Sequence, residues 1–285
     1  MRNSPPAGRF RLLVRKRPLL AFFTLTYLLE LTALIPQVSY KLGLVGMTES
    51  VWYITIAVCS PAVAALIVQW LAESNLRICR IYGLWSGLLF GITLGPALII
   101  FSTFIVPALI AVKAPLHSVD WHALLSTSSY HCQYSGQYYL LVVGPILEEP
   151  GWRGFALPRL QERFGPVQAS LLLGLLWAGW HFPTFLMSDW TAAQIFNYFV
   201  VVLGMSVLIT FGANLSRFNI VVAIIMHAAC NTRGCLLEKL TAHAQERTHS
   251  PLIWIVSSLL VPAAIVLATR GRLGARQTTA FAGQD

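Results

Sequence analysis

The sequence has few charged residues, and its cysteines form no pattern that would support a disulfide framework or a thiolate metal site. Only 11% of the 285 residues are charged, whereas an ordinary soluble domain has about 25%. The five cysteines are odd in number, and no two of them form a CxxC pair. No internal repeat or low-complexity tract is visible, and no segment resembles a soluble domain. These absences exclude a disulfide-rich secreted module and an ordinary soluble enzyme.

Long apolar runs dominate the sequence instead, and hydrophobic residues make up 56% of it. A bilayer core needs about 20 helical residues. Eight runs reach that length, at about 19–39, 51–71, 83–112, 137–158, 167–187, 193–214, 219–238 and 251–269. The third run is overlong and contains Gly95-Pro96, and we interpret it as one kinked span. We therefore expect an all-α, polytopic membrane bundle of about eight transmembrane helices.

The basic residues indicate topology and not nucleic-acid binding, although the formal net charge is +9. They lie in short stretches between the apolar runs, and cytoplasmic segments of membrane proteins carry an excess of Lys and Arg. With the amino terminus in the cytoplasm, only Lys41, Lys113, Lys239 and Arg247 would lie outside. Fourteen basic residues would lie inside: Arg2, Arg9, Arg11, Arg15, Lys16, Arg17, Arg77, Arg80, Arg159, Arg163, Arg217, Arg270, Arg272 and Arg276. We predict that both termini are cytoplasmic, and we expect no nucleic-acid partner.

One membrane domain with two short tails accounts for the whole sequence. We predict a basic cytoplasmic segment over 1–18, a single transmembrane helical domain over 19–269 and a cytoplasmic tail over 270–285. The first apolar run follows a basic stretch, as a signal peptide would, but it is long and shows no A-x-A-like cleavage site. We interpret it as a retained first span.

Seven charged, polar or aromatic residues stand out within three of the predicted spans. A charge at the bilayer centre costs about 2.5 to 3.5 kcal/mol on the translocon scale, so an intramembrane cluster is a functional-site hypothesis by default. The residues are Glu148, Glu149 and Arg153 on the fourth span, Trp177 and His181 on the fifth, and His227 and Asn231 on the seventh.

The spacing of these residues indicates how they are arranged. Glu149 and Arg153 are four apart, which allows an ion pair on one helix face, whereas Glu148 points roughly 100° away. Pro150 removes a backbone hydrogen bond, so the helix should kink or open beside the carboxylates. Irregular backbone at membrane depth requires protein or water around it, and a polar cavity is expected here.

The predicted depths of these residues agree with one shared site. At about 1.5 Å per residue from the cytoplasmic ends, Glu148 and His227 lie roughly 12 to 14 Å deep, and His181 roughly 17 to 20 Å deep.

These residues also have purely structural interpretations. Glu149 and Arg153 could form only a structural ion pair, and an intramembrane His or Asn often only holds helices together, at about 0.6 to 2 kcal/mol. Glu148 still requires a partner, a proton or water, and two histidines on other spans are candidates.

Two chemistries use one carboxylate, two histidines and an amide in a wet pocket. A desolvated carboxylate can act as general base on water while His and Asn donors stabilise an oxyanion, which is peptide-bond hydrolysis. Alternatively, Glu148, His181 and His227 could bind zinc with an open position for water. The spacing does not separate the two, and no HExxH motif is present.

The three pairs of residues also occur in a known order. They resemble the motifs EExxxR, (F/W)xxxH and HxxxN of the CAAX protease and bacteriocin-processing (CPBP, or Abi) family of intramembrane endopeptidases. Here they read Glu148-Glu149-x-x-x-Arg153, Trp177-x-x-x-His181 and His227-x-x-x-Asn231. The strings EEPGWRGFALPRLQ and GLLWAGWHFP are similar to the prokaryotic branch, and the resemblance covers about 137–235.

The resemblance implies a role for each residue. Glu148 would activate the attacking water with help from His181, His227 and Asn231 would face the oxyanion, and Glu149, Arg153 and Trp177 would support the cavity. It further implies an eight-helix core with a site open toward the cytoplasm and a peptide or protein substrate, lipidated or not. We favour a mechanism without a metal cofactor, with zinc as the alternative. We expect an integral protein of a prokaryotic plasma membrane, in contact with membrane lipid.

Two functions of other classes stay open. One is a non-catalytic membrane factor, of the immunity or envelope-assembly type, that keeps the cavity for binding. The other is a proton-coupled transporter, in which Glu148 and the histidines would form a relay. The transporter is disfavoured because the internal repeats common in transporters are not visible.

Overall fold

The computed structural model describes residues 8–46, 51–73, 84–100, 142–188, 190–241 and 251–275, and these residues form helices without any strand. We number the α-helices in chain order and call Pro150–Ala156 the π-segment. The helices are α1 Arg9–Lys16, α2 Pro18–Lys41, α3 Val51–Glu73, α4 Leu84–Ile100, α5 Gly144–Glu149, α6 Leu157–Phe164, α7 Pro166–Trp180, α8 Phe182–Met187, α9 Ala192–Leu215, α10 Ile220–Thr241 and α11 Pro251–Ala268.

Four of these segments are long and apolar enough to cross a membrane: Pro18–Lys41, Tyr53–Glu73, Pro166–Met187 and Ala192–Leu215. Two shorter apolar helices are Ile220–Asn231 and Ser258–Ala268. The prediction of an all-α, polytopic membrane protein is confirmed. The number of eight spans, the position of the termini and the domain limits stay predictions. The part of the overlong third run that follows Ile100, and the predicted loop after it, lie outside the described residues.

The chain from Gly144 to Phe164 is one continuous helical segment, and its helix type changes directly after the carboxylates. Pro150 has no N–H to continue the α-helical ladder, and the seven residues Pro150–Ala156 adopt π-helical winding before α6 resumes. The helix therefore opens, as the sequence predicts, without breaking. A Cβ atom on Gly151 would lie 2.5 Å from the carbonyl oxygen of Pro61, so only glycine permits the observed approach to α3.

An aromatic cluster holds the π-segment between α2 and α7. The rings of Phe22 and Trp152 are 5.7 Å apart in a T-shaped arrangement, and those of Trp152 and Trp180 are 5.8 Å apart. Phe155 lies 5.0 Å from Phe22, and all four side chains are buried. Aromatic pairs of this geometry contribute about 0.5 to 1.5 kcal/mol beyond their burial. The cluster therefore fixes the orientation of the segment that carries the carboxylates.

Hydrogen bonds bring the basic residues of several helices to one end of the bundle, which we call the basic end. Arg11 and Arg15 of α1 donate to the carbonyl oxygens of Leu71 and Ala72 in the last turn of α3. Arg159 of α6 pairs with Glu73 at 2.9 Å. The last turn of α9 meets the chain after α11 through the hydrogen bond from Asn214 to the carbonyl oxygen of Leu273, and Gly271 lies beside Val167 at the start of α7. These ends carry Arg163, Arg217, Arg270 and Arg272. The helix α1 itself is absent from the sequence prediction, which has only a basic tail there.

Candidate active site

Glu149 is the electrostatic centre of the buried polar cluster. Its Oε1 accepts a hydrogen bond from Arg153 Nη1 at 2.8 Å and lies 2.8 Å from Nδ1 of His227. Glu149 is fully buried, and Arg153 and His227 are 1% and 2% exposed. A carboxylate accepts from an imidazole N–H, so Nδ1 of His227 carries the proton and Nε2 remains for other partners. The pair of Glu149 and Arg153 forms as its spacing predicts, and α10 adds His227 to it.

Glu148 has a different set of partners. Its Oε2 accepts hydrogen bonds from the indole nitrogens of Trp177, at 2.9 Å, and Trp152, at 3.3 Å. No described residue hydrogen-bonds to its Oε1. Both partners are uncharged donors, and neither is a histidine as the sequence suggests. One oxygen of Glu148 is thus held in place, and the other remains for water or a ligand.

His181 lies where α7 ends and α8 begins, and its backbone orients its ring. Its Nδ1 is 3.0 Å from the carbonyl oxygen of Trp177, which can only accept, so Nδ1 carries the proton. The ring packs edge-on against Trp180, with centroids 4.7 Å apart, and against Tyr198 at 5.2 Å. In the neutral ring Nε2 is then a proton acceptor.

A cavity of about 550 Å³ joins these groups. Glu148, His181, His227 and Asn231 all line it, so the structure brings together the four residues for which the sequence predicts a catalytic role. Glu149 and Arg153 lie behind its wall, because they are buried and do not line it. Trp177 lines the cavity and stacks under the Arg153 guanidinium, with Cζ 4.6 Å from the ring centroid.

The mouth of the cavity lies at the end of the bundle opposite the basic end. Its deepest lining residues, Glu148, Trp177 and His227, are buried. Its exposed lining residues are Tyr40 and Lys41 in the last turn of α2, with Ser188 and Trp190 between α8 and α9. A cytoplasmic basic end and a cavity open toward the cytoplasm are therefore incompatible in this structure. Cytoplasmic termini and a cavity open toward the cytoplasm each stay a prediction, and an experiment on the orientation of the chain has to separate them.

The zinc alternative stays a prediction. No group of three or more His, Cys, Asp or Glu side chains in the described part of the chain is arranged to hold a metal ion. In His181 and His227 only Nδ1 is hydrogen-bonded, to Trp177 or Glu149, and in Glu148 only Oε2 is, so Nε2 of each ring and Oε1 of Glu148 have no described partner. The three predicted zinc ligands share the cavity wall without forming a ligand set.

Two residues of the site are not among those predicted from the sequence. Trp152 bonds Glu148, and its only sequence signal is the spacing of four between the two residues. Glu30 of α2 also lines the cavity and is 2% exposed. Its signal is a single carboxylate in the first apolar run, LLELTAL.

Helical spans around a buried carboxylate–histidine cavity define a polytopic integral membrane protein with an enzyme-like site. Residues 134–233 match the family model described as Type II CAAX prenyl endopeptidase Rce1-like. The chain is also 33% identical over 147 residues to CAAX prenyl protease 2 of Methanococcus maripaludis, which is 49% of this chain and 52% of that protein. Residues 134–233 are thus similar to the CAAX prenyl endopeptidases, and the chain spans about half the length of this curated relative.

Proposed function

We propose that this protein is an intramembrane endopeptidase that hydrolyses a peptide bond with a water molecule activated by Glu148. The observation that carries the proposal is the asymmetry of Glu148. Two indole N–H groups fix Oε2, while Oε1 is left without a partner among the described residues, in a cavity large enough for a peptide segment. The similarity to a protein named CAAX prenyl protease 2 supports the same reaction class.

The reaction uses the residues of the cavity wall in sequence. Glu148 takes a proton from water, and the resulting hydroxide attacks the carbonyl carbon of the scissile bond. His227 and the Asn231 amide then face the oxyanion, and the amide N–H donates a hydrogen bond to it. Collapse of this intermediate breaks the C–N bond, and the protonated Glu148 returns its proton to the leaving amine. His181 Nε2 accepts a hydrogen bond from the attacking water and orients it.

The buried ion pair behind the wall supports this chemistry without touching the substrate. Glu149 accepts the hydrogen bond from Nδ1 of His227 and so fixes the orientation of that ring in the cavity wall. Arg153 compensates Glu149 and also stacks on Trp177, the donor to Glu148. The mechanism requires no metal cofactor, and every step is assigned to side chains of this chain.

The substrate class follows from the cavity and its location. Its lining is largely apolar, with Leu34, Ile54, Val58, Val201 and Met205. We propose a peptide or protein substrate that reaches the site within the membrane, with a lipid group as an optional part. The membrane is taken to be a prokaryotic plasma membrane.

The test is mass-spectrometric detection of cleavage in a mixed library of lipidated and unlipidated peptides. We expect wild-type protein to cleave members of the library, and Glu148→Gln to lose cleavage roughly 100- to 10,000-fold. A zinc chelator should leave the wild-type rate unchanged, and loss of activity in chelator would overturn the metal-independent mechanism. Folded wild-type protein that cleaves nothing would favour the non-catalytic membrane factor.

A further inference from the structure

Glu30 is a buried carboxylate in the cavity that the proposed reaction does not use. It lies in the middle of α2, on a different helix from every residue of the three motifs. Glu30, Leu34, Gln37 and Lys41 all line the cavity, and their spacing places them on one helix face. The face runs from the exposed mouth at Lys41 down to Glu30.

The carboxylate of Glu30 has no partner within the described part of the chain. Its side chain is 2% exposed, and Oε2 makes no hydrogen bond. Tyr27, one turn before it, donates to the carbonyl oxygen of Leu176 instead. Since buried polar groups are almost always hydrogen-bonded, an unpaired carboxylate facing a cavity indicates a missing ligand group.

The charged residues around Glu30 indicate the chemical class of the missing ligand group. Among the described residues, the buried charged side chains are three carboxylates, Glu30, Glu148 and Glu149, and one guanidinium, Arg153. Arg153 pairs with Glu149, outside the cavity wall. The one lysine of the lining, Lys41, lies at the exposed mouth. The buried part of the cavity therefore presents the carboxyl groups of Glu30 and Glu148 without an ion pair to a described residue, and a ligand cation would compensate them.

We propose that Glu30 is a specificity residue that binds an ammonium or guanidinium group of the substrate. The proposal rests on the proposed function, because it assumes that a peptide occupies the cavity. The apolar part of the lining accommodates the aliphatic stem of a Lys or Arg side chain, and Glu30 accepts a charge-assisted hydrogen bond from its head group. The preferred substrate thus carries a basic residue near the cleaved bond.

Paired peptides test this assignment. A peptide that the wild-type protein cleaves is remade with Lys or norleucine at each position beside the cleaved bond in turn, because norleucine keeps the apolar stem and lacks the ammonium. At one position we expect kcat/KM to favour Lys roughly 10- to 100-fold, as for a charge-assisted hydrogen bond. Glu30→Gln should remove this preference by slowing the Lys peptide only.

Two further variants serve as controls. Glu73→Gln removes one carboxylate at the basic end, outside the cavity, and should keep the full Lys preference. Glu30→Asp keeps the charge and should retain part of the preference. If Glu30→Gln does not fold, the wild-type comparison still decides, because equal cleavage of Lys and norleucine peptides at every position overturns the proposal.

A binding measurement separates this proposal from the proposed function. Trp177, Trp180 and Trp190 line the cavity, so peptide binding to Glu148→Gln protein is followed by tryptophan fluorescence. Tighter binding of the Lys peptide that disappears in Glu148→Gln/Glu30→Gln supports the role of Glu30 even if no peptide is cleaved. A Lys preference that persists in Glu30→Gln, in cleavage or in binding, overturns it and leaves the protease mechanism unaffected.

Discussion

At the scale of single residues, the two adjacent glutamates have opposite environments and therefore different uses. Glu149 is fully buried and shares one oxygen between Arg153 and His227. Among the described residues, Glu148 accepts hydrogen bonds only from two neutral indoles, and it lines the cavity. Glu148 is therefore the carboxylate that a water molecule in the cavity can reach, whereas Glu149 lies behind the cavity wall.

The pair of Glu149 and Arg153 gives a stability prediction. We expect Arg153→Met to lower the free energy of unfolding by about 3 to 5 kcal/mol, because it leaves Glu149 as an uncompensated buried charge. Unfolding in mixed detergent micelles measures this change. Adding Glu149→Gln should restore much of the loss, since glutamine is neutral and still accepts from His227. Equal stability of wild type and Arg153→Met would show that the pair is not a buried charge pair in the membrane.

Local spacing decides how much of this cluster is predictable from sequence. Glu149 and Arg153 lie four apart on one helix, so their contact requires no knowledge of tertiary structure. The choice of His227 for Glu149, and of Trp177 for Glu148, depends on how α10 and α7 are rotated against α5, which no local pattern encodes. Glu30 escapes sequence reasoning because a lone carboxylate has no partner at helical spacing.

At the scale of elements, the regular α-helix ends directly after the two carboxylates, where the π-segment begins. The sequence Pro150-Gly151 predicts an opening there, because proline removes a hydrogen bond. It does not predict π-helical winding over Pro150–Ala156, which depends on the contact with α3 at Pro61 and on the aromatic cluster around Trp152. The short α1 is unpredicted for a similar reason, since it is anchored by carbonyl groups at the end of α3.

The contact of the π-segment with α3 can be tested at one glycine. We expect Gly151→Ala to destabilise the protein by about 1 to 3 kcal/mol and to reduce cleavage, because the new methyl group requires the π-segment to move away from Pro61. Thermal unfolding and cleavage rate measure the two effects. Gly46→Ala is the matched control, since nothing lies within 4 Å of a Cβ atom at that position. A Gly151→Ala protein as stable and active as wild type would contradict the close approach.

At the scale of the whole molecule, the basic end and the cavity mouth lie at opposite ends of the bundle. The positive-inside rule predicts that the basic end is cytoplasmic. The cavity, whose exposed lining residues include Lys41 and Ser188, then opens on the other side of the membrane. The substrate would be a peptide outside the cytoplasm, or one that enters from that leaflet.

Cysteine labelling in intact cells tests this orientation. In a background without the five native cysteines, we expect Ser188→Cys to react with a membrane-impermeant maleimide in intact cells. Arg163→Cys at the basic end should react only after the membrane is permeabilised. The reverse pattern would place the mouth in the cytoplasm and show that the positive-inside rule fails for this chain.

The most direct test of the mechanism is cleavage of one identified peptide in ¹⁸O-water by purified protein in lipid vesicles. The account predicts that wild-type protein releases a new carboxylate carrying one heavy oxygen. It also predicts that Glu148→Gln, equally folded and inserted, forms this product roughly 100- to 10,000-fold more slowly. The same labelled product from Glu148→Gln at the wild-type rate would contradict the central claim that Glu148 activates the water.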